Sequence, residues 1–144
     1  RQKILDEILE WAVAESIPRA TYRSLSPEEL LSLAEGELVE IGAHTVTHPF
    51  LSAQSIALQQ DEIKQSKIDL ERMINRPVTS FSYPFGDRNA DTIEIVKSSG
   101  FNCTCSTDQD IIWSKSDYFQ LPRFDAENLD RKQFENQLLK WFNS

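Results

Sequence analysis

The two histidines of this 144-residue sequence lie four residues apart, in the stretch EIGAHTVTHPF. If this stretch turns helically, the spacing puts His44 and His48 on one face. Two neutral imidazoles in that arrangement can share one divalent cation, which we expect to be zinc, with other transition metals left open. Thr45 and Thr47 can brace the turn or orient the rings through their hydroxyls. Because H-x3-H also arises by chance, two ordinary hydrogen-bonded histidines are an equally supported interpretation of the spacing alone.

A third metal ligand does not follow from the spacing of residues. Catalytic zinc usually has three protein ligands and a water molecule, and the sequence contains no third histidine. A carboxylate must therefore complete such a site. The aspartates that follow predicted strands are Asp87, Asp108, Asp110 and Asp125. No spacing rule selects one of them.

A second stretch with chemical potential is FSYPFGD, at the end of a predicted strand. Pro84 and Gly86 flank Phe85 in a tight turn, which can expose the backbone N–H of Phe85. An exposed N–H beside a metal is what an oxyanion hole requires. Taken alone, the same residues are more typical of an ordinary proline–glycine turn.

Helical and strand patterns alternate along the chain, with short connections between them. Helices are predicted near residues 1–15, 26–36, 52–75, 89–100 and 130–142, and strands near 37–44, 77–86, 101–106 and 118–124. The helix at 26–36 carries a capping box of Ser26 and Glu29, with Pro27 at its first position. The alternation predicts parallel strands with helical crossovers, in an open α/β sheet or a (β/α) barrel. In such folds functional groups collect at the carboxyl ends of strands, where both stretches lie.

The same patterns predict which side chains are buried. In the strand at 37–44 these are Leu38, Val39 and Ile41. In the helix at 52–75 an apolar stripe faces inward, and the polar run QQDEIKQSK forms the solvated face. The stripe consists of Ile56, Ile63, Leu70, Met73 and Ile74. The inner side of the last helix consists of Phe134, Leu138, Trp141 and Phe142.

Length, charge and cysteine content narrow the class of protein. Residues 1–144 are enough for one domain with its own core, here predicted as a single, partial domain. The net charge of -8 argues against a nucleic-acid partner. No apolar run approaches the roughly 20 residues that span a bilayer, and no secretory signal opens the chain, so we expect a soluble protein of open compartment. Cys103 and Cys105 are predicted to be free thiols packed in a strand, with a zinc half-site as the alternative.

Together, IGAHTVTHPFLS and FSYPFG resemble the H-[ST]-x-x-H and R-x-P-[FY]-G motifs of the polysaccharide deacetylases, the NodB-homology group of carbohydrate esterase family 4. The order of predicted elements over about residues 22–142 is similar as well. The resemblance implies a distorted, incomplete (β/α) barrel with its groove at the carboxyl ends of the strands. It also implies metal-dependent hydrolysis of N-acetyl groups on the amino sugars of a polysaccharide or glycan.

The resemblance assigns roles to particular residues of this sequence. His44 and His48 correspond to the metal-binding histidines, and the backbone N–H of Phe85 to the group that stabilises the oxyanion. The residues that would line the substrate groove are Tyr83, Pro84 and Arg123. The carbohydrate substrate is the partner that follows from these roles.

Three departures from the family pattern affect the catalytic groups. No Asp-Asp pair occurs in the sequence, so we expect the catalytic base and the third metal ligand upstream of Arg1, with the first strand, and this stretch alone to be an impaired catalyst. Ser82 stands where the family usually has an arginine. No histidine follows His48, so the family's general acid has no counterpart here.

Two other functions stay open at this point. One is a non-catalytic relative that keeps the fold as a carbohydrate-binding or structural module, which the absent third ligand and general acid favour. The other is a metal-dependent hydrolase of a small C–N substrate such as a cyclic amide.

Overall fold

The computed structural model describes residues 2–13 and 22–142 of the chain. Its helices are α1 (Gln2–Trp11), α2 (Pro27–Ala34), α3 (Ile56–Ile74), α4 (Ala90–Ser98) and α5 (Arg131–Phe142). Its strands are β1 (Ser80–Ser82) and β2 (Cys103–Cys105), and short 3-10 turns lie at Leu51–Ala53 and Pro84–Gly86. In the part of the chain that is described, no helix combines the length and apolar character needed to cross a membrane.

The two strands form a parallel pair that is extended on both sides by single bridges. Phe81 of β1 lies opposite Thr104 of β2, and α4 is the crossover between them. On the other edge of β1, Phe81 pairs in parallel with Ala43, and on the far edge of β2 Cys105 pairs in parallel with Leu121. The segments therefore lie in the order 43, β1, β2, 121, all in parallel. This arrangement confirms the predicted α/β class with parallel strands and helical crossovers.

The core lies between one face of this sheet and the helices α3 and α4. Phe81 is its centre, with ring contacts to Tyr83 at 5.5 Å and to Phe101 at 5.3 Å between centroids. Ile63 of α3 and Val96 of α4 are fully buried against it. Burial of such side chains stabilises a fold by about 1.5–3 kcal/mol each.

The local start signals of the helices are confirmed. Ser26 accepts the backbone N–H of Glu29, and the Glu29 carboxylate accepts the backbone N–H of Ser26, which completes the predicted capping box. Helix α3 begins later than predicted, at Ile56, because Ser55 caps it after the 3-10 turn. The predicted end of the first helix, near Glu15, lies outside the described residues.

Two predicted strands are much shorter in the structure. The stretch 37–44 is reduced to the bridge at Ala43, and the stretch 118–124 to the bridge at Leu121. The predicted burial of Leu38 and Val39 is wrong, since Leu38 is 100% exposed and Val39 is exposed too. The physical reason is that, within the described residues, only Ala43 of this stretch forms backbone hydrogen bonds with β1, so the side chains before it do not belong to a sheet face.

The inner face of α3 is also different from the prediction. Ile63 is buried as expected, but Ile56 and Met73 of the predicted stripe are exposed. Three residues of the run assigned to solvent are buried instead: Gln59, Glu62 and Ser66. Hydrogen bonds to their polar atoms offset the cost of removing these groups from water.

The remaining predictions on side chains are partly confirmed. Cys103 and Cys105 are half-buried free thiols in β2. Trp141 of α5 stacks on Phe124, with 4.3 Å between ring centroids. Phe134 and Phe142 are exposed, so α5 packs through fewer residues than the pattern indicated.

A pair of glycine substitutions tests the tight turn after β1. Gly86 and Gly100 both have positive φ, at +71° and +77°. A Cβ on Gly86 would overlap the Thr107 side chain, whereas a Cβ on Gly100 would meet nothing within 4 Å. We expect Gly100→Ala to lower the free energy of unfolding by about 1–2 kcal/mol through backbone strain alone, and Gly86→Ala to lower it by clearly more. Urea denaturation measures both, and equal losses would contradict the role of the Thr107 contact.

Candidate functional site

The two histidines meet at the carboxyl end of the bridge between Ala43 and β1. Their ring centroids are 4.7 Å apart and the rings are inclined at 68°. The expected proximity is therefore present, but it does not come from a helical turn. Thr45 and His48 both have left-handed backbones, with φ of 64° and 56°. The chain between the rings is thus a tight, non-helical turn.

One imidazole is anchored to the end of β1. The Nδ1 atom of His44 lies 2.7 Å from the backbone oxygen of Ser82. Because a carbonyl oxygen can only accept, Nδ1 carries the proton and donates it, and Nε2 of the neutral ring keeps its lone pair. This hydrogen bond fixes both the tautomer and the orientation of the ring.

The turn between the histidines is held by hydrogen bonds to polar side chains. Oε2 of Glu62 accepts the backbone N–H groups of Val46 and Thr47, each at 2.8 Å. Oε1 of Glu62 accepts the Thr47 hydroxyl at 2.6 Å, and the Thr45 hydroxyl accepts the His48 N–H at 3.1 Å. Thr45 and Thr47 therefore brace the turn, one of the two roles considered for them. Left-handed backbones at such residues cost about 1–3 kcal/mol each, which these contacts must offset.

Phe85 lies next to the histidine pair. Its φ is 59°, and its ring meets the His48 ring edge-on, with 4.5 Å between centroids. Phe50 stacks on the other side of Phe85, at 4.2 Å and 14° between the planes. Each phenylalanine is 55% exposed, so the pair forms an aromatic surface that faces solvent beside the imidazoles.

Two backbone N–H groups of the turn Pro84–Gly86 are used within the turn itself. The N–H groups of Gly86 and Asp87 donate to the backbone oxygens of Tyr83 and Pro84. Within the described residues, no backbone hydrogen bond engages the Phe85 N–H. The amide predicted to stabilise an oxyanion is thus not committed to a backbone acceptor there.

The predicted groove residues Tyr83 and Pro84 are buried beneath this surface. The Tyr83 ring is 1% exposed, and its hydroxyl donates to the backbone oxygen of Phe119. Burial raises the pKa of the Tyr83 hydroxyl. Tyr83 and Pro84 therefore shape the turn from behind, and the side chain that faces solvent in this turn is Phe85.

Arg123 reaches the end of β1 from the segment after β2. Its Nη2 donates to the Ser82 hydroxyl at 3.0 Å, and its Nε donates to the backbone oxygen of Ser106 at 2.8 Å. The guanidinium of Arg123 is thus joined to the residue whose carbonyl anchors His44. A positive charge is present beside Ser82 although Ser82 itself replaces the arginine that the family pattern would place there.

A network of polar contacts ties the Phe85 turn to the loop after β2. Arg88 donates to the backbone oxygen of Gly86 at 2.8 Å and to Oδ2 of Asp108 at 2.5 Å. The hydrogen bond from Arg88, together with one from the Ser106 hydroxyl, holds the pKa of the Asp108 carboxyl below its ordinary value. These contacts join the loop after β2 to the turn.

Three of the four aspartates considered as a third ligand have other partners. Asp87 accepts the backbone N–H and the hydroxyl of Ser52, at 2.7 and 2.6 Å. Asp108 is paired with Arg88, and Asp110 accepts the backbone N–H of Ile111. Over residues 2–13 and 22–142, no group of three histidine, cysteine, aspartate or glutamate side chains is arranged to hold a metal ion.

The histidine pair fits a metal site in the kind of its donor atoms and, for His44, in the orientation of the ring. A ligating imidazole usually donates its outer N–H to a carbonyl or carboxylate, as His44 does to Ser82. A catalytic zinc usually has three protein ligands, and the described residues form no group of three candidate ligands. A further carboxylate would be needed beside the two imidazoles to complete such a set.

Sequence reasoning found the histidines and the Phe85 turn but missed two residues of the site. Glu62 was assigned to the solvated face of a helix, because a polar run carries no sign of burial. Phe50 follows His48 and Pro49 directly. Its position next to a candidate ligand was the one available signal.

Comparisons with known proteins find relatives of this chain by sequence and by fold. The sequence profile of the family described as Polysaccharide deacetylase matches residues 8–104. The chain is 27% identical over 84 residues to YxkH of Bacillus subtilis (strain 168), whose name assigns it to the polysaccharide deacetylases. The alignment covers 58% of this chain and 30% of YxkH, so the chain spans less than a third of that relative.

Solved structures show the same fold. The deacetylase PplD of Streptococcus pyogenes, determined in complex with acetate, has a TM-score of 0.75 and 24% identity, over 85% of this chain and 53% of PplD. BC0361, a polysaccharide deacetylase from Bacillus cereus, has a TM-score of 0.73 and 20% identity, over 83% of this chain and 38% of BC0361. The predicted α/β fold of the NodB type is thereby confirmed, and the chain contains about half or less of these structures.

The bridge between Arg88 and Asp108 makes part of the stability depend on pH. Since the folded pKa of Asp108 lies below its ordinary value of 3.8, the bridge stabilises the fold above that pH and loses its effect as the pH falls through the folded pKa. We expect Asp108→Asn to lower Tm at pH 7, and the difference from the wild type to shrink below about pH 3.8. For so exposed a pair the effect is about 1 kcal/mol or less. Thermal unfolding from pH 7 to pH 2.5, with Arg88→Gln and the double variant as controls, measures it; a constant difference would contradict this assignment.

Proposed function

The chain belongs to the polysaccharide deacetylase family, and on this basis we propose that its histidine pair and Phe85 turn form part of a site that hydrolyses N-acetyl groups on the amino sugars of a polysaccharide or glycan. The observation that supports this proposal is the juxtaposition of the two imidazoles with the Phe85 turn. The rings lie 4.7 Å apart and the Phe85 ring contacts His48 at 4.5 Å. A cation ligand pair and an oxyanion donor are thus neighbours.

Each residue of this group has a distinct task in the proposed reaction. His44 and His48 hold a divalent cation, with zinc as our proposal, through their free ring nitrogens. When bound, the cation supplies Lewis-acid activation of water and of the acetyl carbonyl. The Phe85 N–H donates to the oxygen of that carbonyl as negative charge develops on it. The third ligand and the catalytic base would be further carboxylates, beyond the groups that the described residues bring to the histidine pair.

The surroundings of the site suit a carbohydrate. The exposed faces and edges of Phe50 and Phe85 can pack against the C–H groups of a sugar ring, which polar side chains cannot do. Arg123 adds donors at the end of β1, where hydroxyl or carbonyl oxygens of a glycan can accept them. We therefore propose Phe50 as a residue of the substrate groove in addition to Phe85 and Arg123.

A second candidate function is a non-catalytic carbohydrate-binding relative of the fold. The observation that favours it is that the described residues supply two metal ligands and no group of three. The two functions differ in whether metal is bound and acetate is released. Metal analysis and calorimetry with chito-oligosaccharides separate them, because sugar binding without metal and without release of acetate supports the binding module.

Substitution of one histidine tests the proposed hydrolase. In the complete protein we expect His44→Ala to reduce bound metal to background and to lower the rate of acetate release by a factor of about 10³ or more, since a single remaining imidazole cannot hold the cation. Elemental analysis and an acetate assay on N-acetylated oligosaccharide measure both. Lys64→Ala, which alters an exposed side chain of α3, is the control. Retained metal together with undiminished acetate release would reject the site.

Removal of the outer aromatic ring tests the proposed groove. We expect Phe50→Ala to raise KM for an N-acetylated oligosaccharide about three- to tenfold and to leave kcat within about twofold, because the ring contacts sugar and not the reacting atoms. Steady-state kinetics on the complete protein give both constants. Trp11→Ala removes an aromatic that is more exposed and lies on α1, and should change neither. An unchanged KM in Phe50→Ala would remove Phe50 from the groove.

A further inference from the structure

Glu62 is a buried carboxylate that faces the histidine turn. It lies on α3 and is 7% exposed, on the same inner face as Gln59 and Ile63. Acidic side chains are rarely buried to this extent without a partner that accounts for them. In the described part of the chain no lysine or arginine forms an ion pair with Glu62. Its partners are instead the hydrogen-bond donors of the turn.

Both oxygens of Glu62 are used by consecutive residues between the histidines. Oε2 accepts two backbone N–H groups, from Val46 and Thr47, and Oε1 accepts the Thr47 hydroxyl. A carboxylate that receives several donors from one turn fixes the directions of all of them at once. The backbone at residues 46–47 is thus tied directly to the middle of a long helix.

Burial of apolar side chains contributes little to the conformation of this turn. Val46 is exposed, and so are Thr47 and both histidines, so burial of apolar surface does not fix its conformation. Thr45 and His48 nevertheless adopt left-handed backbones, which isolated residues of these types rarely do. The contacts of Glu62 join the middle of the turn to α3.

We infer that Glu62 is a positioning residue of the site, which holds residues 45–48 in the conformation that brings the His48 ring to the His44 ring. Glu62 contacts neither ring, and it acts through the backbone of the turn. Its consequence for catalysis rests on the proposed function; its consequence for the geometry of the histidines does not. The alternative is that Glu62 only contributes to the stability of α3.

Gln59 offers a matched control for this distinction. It lies one turn before Glu62 on the same face of α3 and is 1% exposed. Its side chain donates to the backbone oxygen of Gln54 and accepts the Thr92 hydroxyl, so it makes no contact with the histidine turn. Gln59→Ala therefore removes a buried polar group from the same helix without touching residues 45–48.

The experiment compares Glu62→Ala, Glu62→Gln and Gln59→Ala with the wild type by NMR and by Co²⁺ titration. The ring protons of His44 and His48 should show a nuclear Overhauser contact in the wild type, since the centroids are 4.7 Å apart. We expect Glu62→Ala to lose this contact and to raise the Kd for Co²⁺ about tenfold or more, the range typical of residues that orient ligands. Glu62→Gln keeps an acceptor oxygen for the two N–H groups, so it should retain most of the ring contact and of the affinity for Co²⁺. Gln59→Ala should retain the ring contact and the affinity in full, with Tm lowered by a comparable amount.

The outcomes separate the inference from the proposed function. If Glu62→Ala keeps the ring contact, or if Gln59→Ala loses it equally, Glu62 is not a positioning residue. If the wild type binds no Co²⁺ and releases no acetate, the proposed function fails, while the ring contact still decides the role of Glu62. If Glu62→Ala does not fold, Glu62→Asp takes its place, because the shorter side chain withdraws the carboxylate from the N–H groups of Val46 and Thr47. A ring contact as strong in Glu62→Asp as in the wild type would then overturn the inference.

Discussion

Hydrogen bonds on both edges of β1 hold the parts of the site in one frame. On one edge Ser82 donates to the backbone oxygen of Ala43, and on the other β1 runs in register with β2. The carbonyl of Ser82 then anchors His44, and its hydroxyl receives Arg123. The turn that carries Phe85 begins directly after this strand. A three-residue strand thus sets the distances among the two imidazoles, the Phe85 turn and the Arg123 guanidinium.

Strained backbone is concentrated at the residues to which the function is assigned. Three of the non-glycine residues with positive φ are Thr45, His48 and Phe85, and they lie in the two turns that meet at the site. Each turn is held by a polar side chain from elsewhere in the chain, Glu62 for one and Arg88 for the other. These contacts hold the imidazoles and the Phe85 ring in place without burying them, which leaves them accessible from solvent.

The local features of the fold were accessible from sequence because each depends on neighbours in the chain. The capping box of Ser26 and Glu29 requires only four consecutive residues, and the order of helices and strands follows from the periodicity of apolar residues. The strand predicted at 37–44 failed for the opposite reason. Its alternation is that of a strand, but the extent of a strand is set by its partners, and in the described residues only Ala43 finds one.

By itself the sequence determined which chemical groups are present, a single pair of imidazoles and a proline–glycine turn, and it determined the parallel α/β class. The tertiary structure alone decided how those groups are held: by the Ser82 carbonyl, by the Phe50 ring, and by Glu62 on a helix face that appeared suited to water. The reason is physical. Hydropathy patterns report the average burial of a side chain. A buried carboxylate is stable only where particular hydrogen-bond donors reach it. The donors to Glu62, the N–H groups of Thr47 and Val46, lie 15 and 16 residues away in the sequence, so only the folded chain brings them to it.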